Sequence, residues 1–225
     1  IIDKGKRIAS HLLEAADTDI EFKNGQFSVI GTDRSLDISE VAKAAFQKPK
    51  LPPGIEPGLY EHGDFGSDAG PVFPNGAHLA EVEIDADTGK VELVSYHCVD
   101  DAGNILNPLL FDGQVHGGIV QGTGQILMED VNYDPESGQL LTGSLMDYAM
   151  PRADDFCHFE LDTNEVPTEH NPLGVKGVGE AGTVGAMPAV MNAVNDALHR
   201  LGAPQGEMPA TPEKVWQAMQ QKSGN

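Results

Sequence analysis

Cations are scarce in this sequence: 14 Lys and Arg stand against 35 Asp and Glu, for a net charge of −21. A nucleic-acid surface needs a basic stripe, and an anionic membrane attracts polybasic segments, so the balance argues against both partners. Cysteine is scarcer still. Cys98 and Cys157 cannot build a disulfide framework, and they read as free thiols in a reducing, cytoplasmic compartment. The eight His residues show no HxxxH pattern and the cysteines no CxxC, so no zinc site is expected and no metal ligand is assigned. No apolar run approaches the ~20 residues that span a bilayer. No basic and apolar leader opens the chain, and position 1 is Ile rather than Met. The sequence therefore reads as a piece of something longer.

What is present is a globular composition, with 40% hydrophobic and 22% charged residues over 225 positions. A chain of that length forms one large domain and buries roughly 70% of its unfolded surface. The acidity is uneven. Between Lys90 and Lys176, Arg152 is the one basic residue against 15 acids, which places −14 of the net charge in that stretch. An anionic ligand meeting this segment has to be held by backbone N–H groups or neutral amides. Most of these acids otherwise read as a solvated surface.

Residues 4–16 carry helical spacing through Ile8, Leu12 and Leu13. Asn24-Gly25 between two short strand-like runs marks a hairpin. Residues 36–46 predict a helix capped by Asp37 or Ser39. The proline- and glycine-rich stretch 49–75 reads as a long irregular crossing rather than a linker, because apolar residues recur in it. A second hairpin turns at Asp87-Thr88-Gly89. Residues 108–130 predict a long helix with Pro108 near its start. A third hairpin is expected over 131–142, a strand over 156–161, a helix over 188–201, and a last helix opened by Thr211-Pro212. Hairpins mixed with helices, without regular strand–helix alternation, indicate an α+β fold over a single domain, 1–225.

Two segments carry candidate chemistry. The first is GVKGVGEAGTVG at 174–185, where five glycines precede a helix. Such a segment can turn several N–H groups toward one anion, with the helix amino end adding positive potential. Glu180 stands in it among small apolar neighbours, either as a general base or as a plain decoration of the helix start. The glycines from Gly177 to Gly182 also spell G-x-G-x-x-G. A dinucleotide site needs a strand before that motif, and HNPLGVK reads as a turn, so the match is rejected. The second segment surrounds Gln114. Gln114, Gly117, Gly118, Gln121 and Gln125 recur at three and four residues and share a helix face. Glycines inside a helix cost up to ~1 kcal/mol each relative to Ala, and are accepted where a backbone or a ligand comes close. Amides beside such glycines suit either a polar heterocycle or close helix packing. His116 reads as a satisfied histidine.

Three stretches, GQVHGGIVQGTGQILMED, LTGSLMDYAMPRADD and HNPLGVKGVGEAGTVGAMPAVMNAVNDAL, resemble the carboxyl-terminal part of the large subunit of molybdenum hydroxylases. This is the xanthine dehydrogenase and aldehyde oxidase family, and the spelling looks nearest to its carbon monoxide dehydrogenase branch. The resemblance covers almost the whole chain. It implies a molybdenum cofactor, a molybdopterin in its cytosine dinucleotide form. Glu180 matches the family's active-site glutamate, the base that takes a proton from a molybdenum-bound hydroxide or water. Gln114 matches the glutamine that contacts the pterin. Gly177 and Gly179 match the loop that sets the glutamate beside the metal, and Lys176 is given no role. The resemblance also implies iron–sulfur and FAD subunits as partners and a small-molecule substrate: carbon monoxide, an aldehyde or a nitrogen heteroaromatic.

Family large subunits are over three times this length. The upstream half, with the remaining cofactor contacts, lies outside this sequence. In the carbon monoxide branch it carries a copper-binding cysteine, and neither Cys98 nor Cys157 stands in such a motif. An isolated chain is therefore expected to be inactive. A non-catalytic scaffold that retains the fold is the competing expectation.

Overall fold

The computed structural model describes residues 1–66 and 70–221. The chain divides into two compact units, Ile1–Gly66 and Ser67–Asn225. The division falls inside the stretch expected to be an irregular crossing rather than a linker. The reason lies in the first 66 residues, which have a core and a sheet of their own.

In the first unit, helix α1 (Ile2–Leu13) precedes a three-stranded antiparallel sheet of β1 (Ile20–Lys23), β2 (Gln26–Val29) and β3 (Ser35–Asp37), followed by helix α2 (Ile38–Ala45). The Asn24-Gly25 hairpin forms as expected. Both residues take left-handed φ values, 51° and 80°, which a two-residue turn of this twist requires. Strand β3 was not foreseen, because its three residues are too short a run to show alternation. Asp37 is the cap of α2: its carboxylate accepts from the Ser39 N–H while Glu40 reaches back to the Asp37 N–H. Ile8, Phe27 and Val41 close the core. Burying each is worth about 1.5–3 kcal/mol relative to leaving it exposed.

The second unit is built on a sheet of order β4–β5–β6. Strands β4 (Asn75–Ile84) and β5 (Val91–Asp101) form the second expected hairpin, with Gly89 at φ 73° in its turn. Strand β6 (Phe159–Thr163) starts three residues later than expected and pairs with β5 in parallel, through a non-local contact that leaves no local signal. Helix α3 (Pro108–Leu127) forms as the spacing predicts. Helix α4 (Ala181–Arg200) begins seven residues before the expected start and contains Pro188. Pro188 lies on the exposed side, while Ala186, Val190, Val194 and Leu198 form a buried stripe at four-residue spacing. That stripe keeps the helix continuous despite the proline. Helix α5 (Pro212–Gln220) has Pro at its first position, but the Thr211 side chain makes no capping bond. The hairpin expected over 131–142 forms as a short one, an antiparallel bridge of Tyr133 with Leu140 flanked by the bonds Asp134 N–H to Gln139 O and Leu141 N–H to Asn132 O, both 2.8 Å. Helix α4 packs against both β4 and α3. The architecture is α+β, as expected. Among the described residues, no helix is long and apolar enough to cross a membrane.

Candidate active site

The segment leading into α4 is stapled to the end of β5. A Cβ on Gly103 would stand 2.1 Å from the Gly174 carbonyl oxygen, so glycine alone lets the two backbones meet. Asn104 N–H donates to Gly174 O at 3.0 Å, and Lys176 N–H donates to Ala102 O at 2.8 Å. The Lys176 ammonium forms an ion pair with the Asp101 carboxylate, which also accepts from the Gly103 and Val166 N–H groups. Burial pushes the Asp101 carboxyl up, but the Lys176 hydrogen bond and the two backbone donors outweigh it and hold the group below its ordinary value. Lys176 thus serves the loop.

From this anchor the chain passes Gly177 and Gly179 and enters α4 at Glu180. Neither glycine takes a positive φ. A Cβ on Gly177 would meet the Val72 carbonyl oxygen at 3.6 Å, and one on Gly179 would meet nothing within 4 Å. The two glycines leave the approach to Glu180 open rather than forming a strained turn. Residues 174–180 include no strand ahead of the glycines, as the rejection of a dinucleotide fold requires.

Glu180 occupies the N-cap position of α4 and its exposed side chain makes no capping hydrogen bond. It lines a cavity of about 300 Å³ together with Phe73, Gly76, His78, Asp100 and Val184. The first turn of α4 lies on α3. Gly182 approaches the Val115 carbonyl oxygen and the Ile119 N–H. The Thr183 hydroxyl lies 3.1 Å from both Gly118 O and Gln121 Oε1 and donates to one of them. The first turn of α4, which follows Glu180, therefore rests on the glutamine-bearing helix through Gly182 and Thr183, with Gln121 tied to Thr183, while the cavity beside Glu180 is lined from β4, β5 and α4. Gln114 is exposed, and so are Gly113 and Gly117 beside it, each with nothing within 4 Å of a built Cβ. Gly118 and Gly122 serve helix packing; Gly113 and Gly117 do not. The amide and the two open glycines leave backbone of α3 exposed on this side. His116 is satisfied by the Asp112 carbonyl at 2.8 Å, in keeping with its expected role.

One cluster escaped the sequence reading. His78 Nδ1 lies 2.7 Å from Tyr96 Oη, and His78 Nε2 lies 3.2 Å from Asp100 Oδ1. Cys98 is adjacent: burial first, then the Asp100 carboxylate, push its thiol up to about 12. Burial, then Cys98 and Asp100, raise Tyr96 as well. The signal was available in β5, where Tyr96, Cys98 and Asp100 alternate on the inward face, and an acid on a buried strand face is unusual.

Comparisons with known proteins place the chain in a family. A family model described as "Molybdopterin cofactor-binding domain" matches residues 1–157. The chain is 43% identical over 213 residues to the nicotine 6-hydroxylase large subunit of Paenarthrobacter nicotinovorans, covering 94% of this chain and 26% of that protein. It is 34% identical over 224 residues to the carbon monoxide dehydrogenase large chain of Hydrogenophaga pseudoflava, covering 97% of this chain and 27% of that one. The crystal structure of quinoline 2-oxidoreductase from Pseudomonas putida 86 superposes with a TM-score of 0.80 at 38% identity, over 98% of this chain and 28% of that chain. The chain thus spans about a quarter of the length of the relatives it matches. It belongs to the molybdopterin cofactor-binding domain family, within the large subunits of molybdenum hydroxylases.

Proposed function

We propose that this chain supplies one wall of the active site of a molybdenum hydroxylase that oxidises a ring carbon of a nitrogen heteroaromatic, with Glu180 as the general base. The observation that carries the reading is the placement of an exposed carboxylate, free of any capping bond, in the lining of a cavity of about 300 Å³. Identity of 43% to a nicotine hydroxylase against 34% to a carbon monoxide dehydrogenase favours the heteroaromatic substrate over carbon monoxide.

In this reading Gln114 offers its amide to the pterin, and the open glycines of α3 let the ring system lie against backbone. When bound, the molybdenum centre supplies the two-electron redox chemistry. Glu180 takes a proton from the attacking water-derived oxygen and holds it on its carboxylate. Gly177 and Gly179 keep the approach to that carboxylate clear. Helix α3 carries no Lys or Arg, so in this reading neutral amides and backbone hold the anionic cofactor, in its cytosine dinucleotide form.

Leu109 and Leu110, just before Gln114, are 80% and 65% exposed. Apolar surface beside an amide face supports cover by the rest of the large subunit. The family match, over residues 1–157, crosses the division at Gly66, which supports reading the two units as parts of one cofactor-binding region. The full enzyme would work in the cytoplasm and pass electrons to iron–sulfur and FAD subunits; the isolated chain would be inactive.

The test is made in the full-length subunit. Glu180→Gln lowers turnover at least ~10²-fold while molybdenum content stays intact, the scale for losing a general base. Unchanged turnover rejects the catalytic role and favours the scaffold reading. Gln114→Ala lowers cofactor content, and full occupancy in that variant rejects the pterin contact.

A further inference from the structure

We propose that His78, Cys98 and Asp100 form a binding site for a divalent transition metal of the zinc class. The three residues come from one hairpin. In the β4–β5 register His78 stands opposite Cys98, and Asp100 follows two positions later on the same face. An imidazole nitrogen, a thiol sulfur and a carboxylate oxygen all lie within 4.8 Å of one another. Ligands at ~2.0–2.3 Å in a tetrahedral arrangement stand about 3.3–3.7 Å apart. The 3.2 Å spacing from His78 Nε2 to Asp100 Oδ1 already fits, and the sulfur needs a modest inward shift.

These are not surface groups meeting by chance. The side chains of His78 and Asp100 are 6% and 2% exposed, and Cys98 is 3% exposed. Asp100 Oδ2 is buried without a hydrogen-bond partner, although a buried polar atom left unpaired is costly. A cation satisfies it. The other ring nitrogen of His78 faces Tyr96 Oη, which is the outer contact that orients a metal-binding imidazole. With Nδ1–H donating to Tyr96 Oη, Nε2 is left to bind. Room for the cluster is kept by two glycines. A Cβ on Gly76 would sit 2.0 Å from Asp100 Oδ1, and one on Gly185 would sit 2.4 Å from the His78 ring.

The donor set selects the class of ion. One nitrogen, one thiolate sulfur and one carboxylate oxygen suit Zn²⁺ far better than Mg²⁺ or Ca²⁺, which take oxygen ligands. His78 and Asp100 also line the cavity of about 300 Å³, so a water from it can complete the fourth position. On binding, the Cys98 thiol loses its proton to solvent and the thiolate becomes a ligand. The metal-free alternative is a hydrogen-bonded chain from Tyr96 through His78 to Asp100, with the Cys98 thiol turned to the same carboxylate.

The test uses the full-length subunit, treated with a chelator and titrated with Co²⁺ under reducing conditions. One equivalent binds with a thiolate-to-cobalt charge-transfer band. Cys98→Ser abolishes the band, and Cys157→Ser retains it. Tyr96→Phe weakens binding by about 10–100-fold, the scale for losing an outer-shell contact. Asp100→Asn keeps the side-chain volume and weakens binding as well. The proposal is overturned by the absence of a cobalt band, by a band that survives in Cys98→Ser, or by undiminished affinity in Asp100→Asn. Glu180→Gln leaves the band unchanged, so the result is read independently of the general base.

Discussion

Gly118 of α3 and Gly182 of α4 face each other with no side chain between them. A Cβ on Gly118 would lie 2.9 Å from the Thr183 nitrogen, and one on Gly182 would lie 2.4 Å from the Val115 carbonyl oxygen. The obstructing atoms are backbone on both sides, so neither helix can yield by turning a rotamer. Replacing either glycine with alanine gains up to ~1 kcal/mol of helix propensity, but it loses about 1–3 kcal/mol to overpacking. Gly182→Ala is therefore expected to destabilise the fold, and because Glu180 sits two residues away, to lower turnover of the full subunit too. A urea titration beside a turnover assay checks both. A more stable Gly182→Ala protein would contradict the contact.

Gly113 and Gly117 predict the reverse. Both stand within α3, where a built Cβ meets nothing within 4 Å. Gly117→Ala should stabilise the chain by about 0.5–1 kcal/mol through helix propensity alone. The same change should reduce the molybdenum content of the full-length subunit, because the methyl group occupies the face offered to the pterin. Thermal unfolding and metal analysis on one preparation separate the two effects. Greater stability with full cofactor content would remove Gly117 from the binding face.

How much of this was legible in the sequence follows from how local each signal is. The Asn24-Gly25 turn and the Asp37 cap depend on neighbours within four residues, and both were readable. The start of α4 was not. Glycines and Pro188 have low helix propensity, and what overrides them is the fit of Gly182 onto α3 and the buried stripe through Val190 and Leu198. The hairpin over 131–142 was also readable and forms as a short one around the Tyr133–Leu140 bridge. The parallel pairing of β6 with β5 joins residues some 60 positions apart, beyond any local pattern. The grouping of His78, Cys98 and Asp100 was not legible for the same reason, since the register of two strands brings them together. The open face of α3 was half legible. The spacing put the amides on one side, but only the packing divides the glycines into those that touch α4 and those that touch nothing.

Thr123 of α3 is fully buried and its hydroxyl has no hydrogen-bond partner. Valine has nearly the same shape without the unpaired oxygen. Thr123→Val is expected to raise stability by about 1 kcal/mol, the lower end for an unsatisfied buried hydroxyl. In a domain of this size that corresponds to about 2–4 °C in Tm. Scanning calorimetry decides it, and a lower Tm would mean that the hydroxyl is satisfied by a bound water.

The pairing of Lys176 with Asp101 predicts an acid-side effect. Asp101 is buried and Lys176 partly so, and removing the ammonium leaves a buried charge with less compensation. Lys176→Met should cost about 3 kcal/mol, the low end for a broken buried pair, because Asp101 keeps the Gly103 and Val166 N–H donors. The Asp101 carboxyl is held below its ordinary value in the folded protein, so the unfolded chain takes up the proton first. Its contribution is fully present above the ordinary carboxylate value and is lost as pH falls through the lower, folded-state value. Without the ammonium, burial acts against two backbone donors only, and the folded-state value rises. The acid-linked loss of stability should thus be smaller in Lys176→Met, so that its deficit against the parent chain narrows as pH falls. Urea midpoints measured from pH 7 down to acid unfolding give the comparison. Two curves offset by a constant amount would show that the ammonium does not set the titration of Asp101.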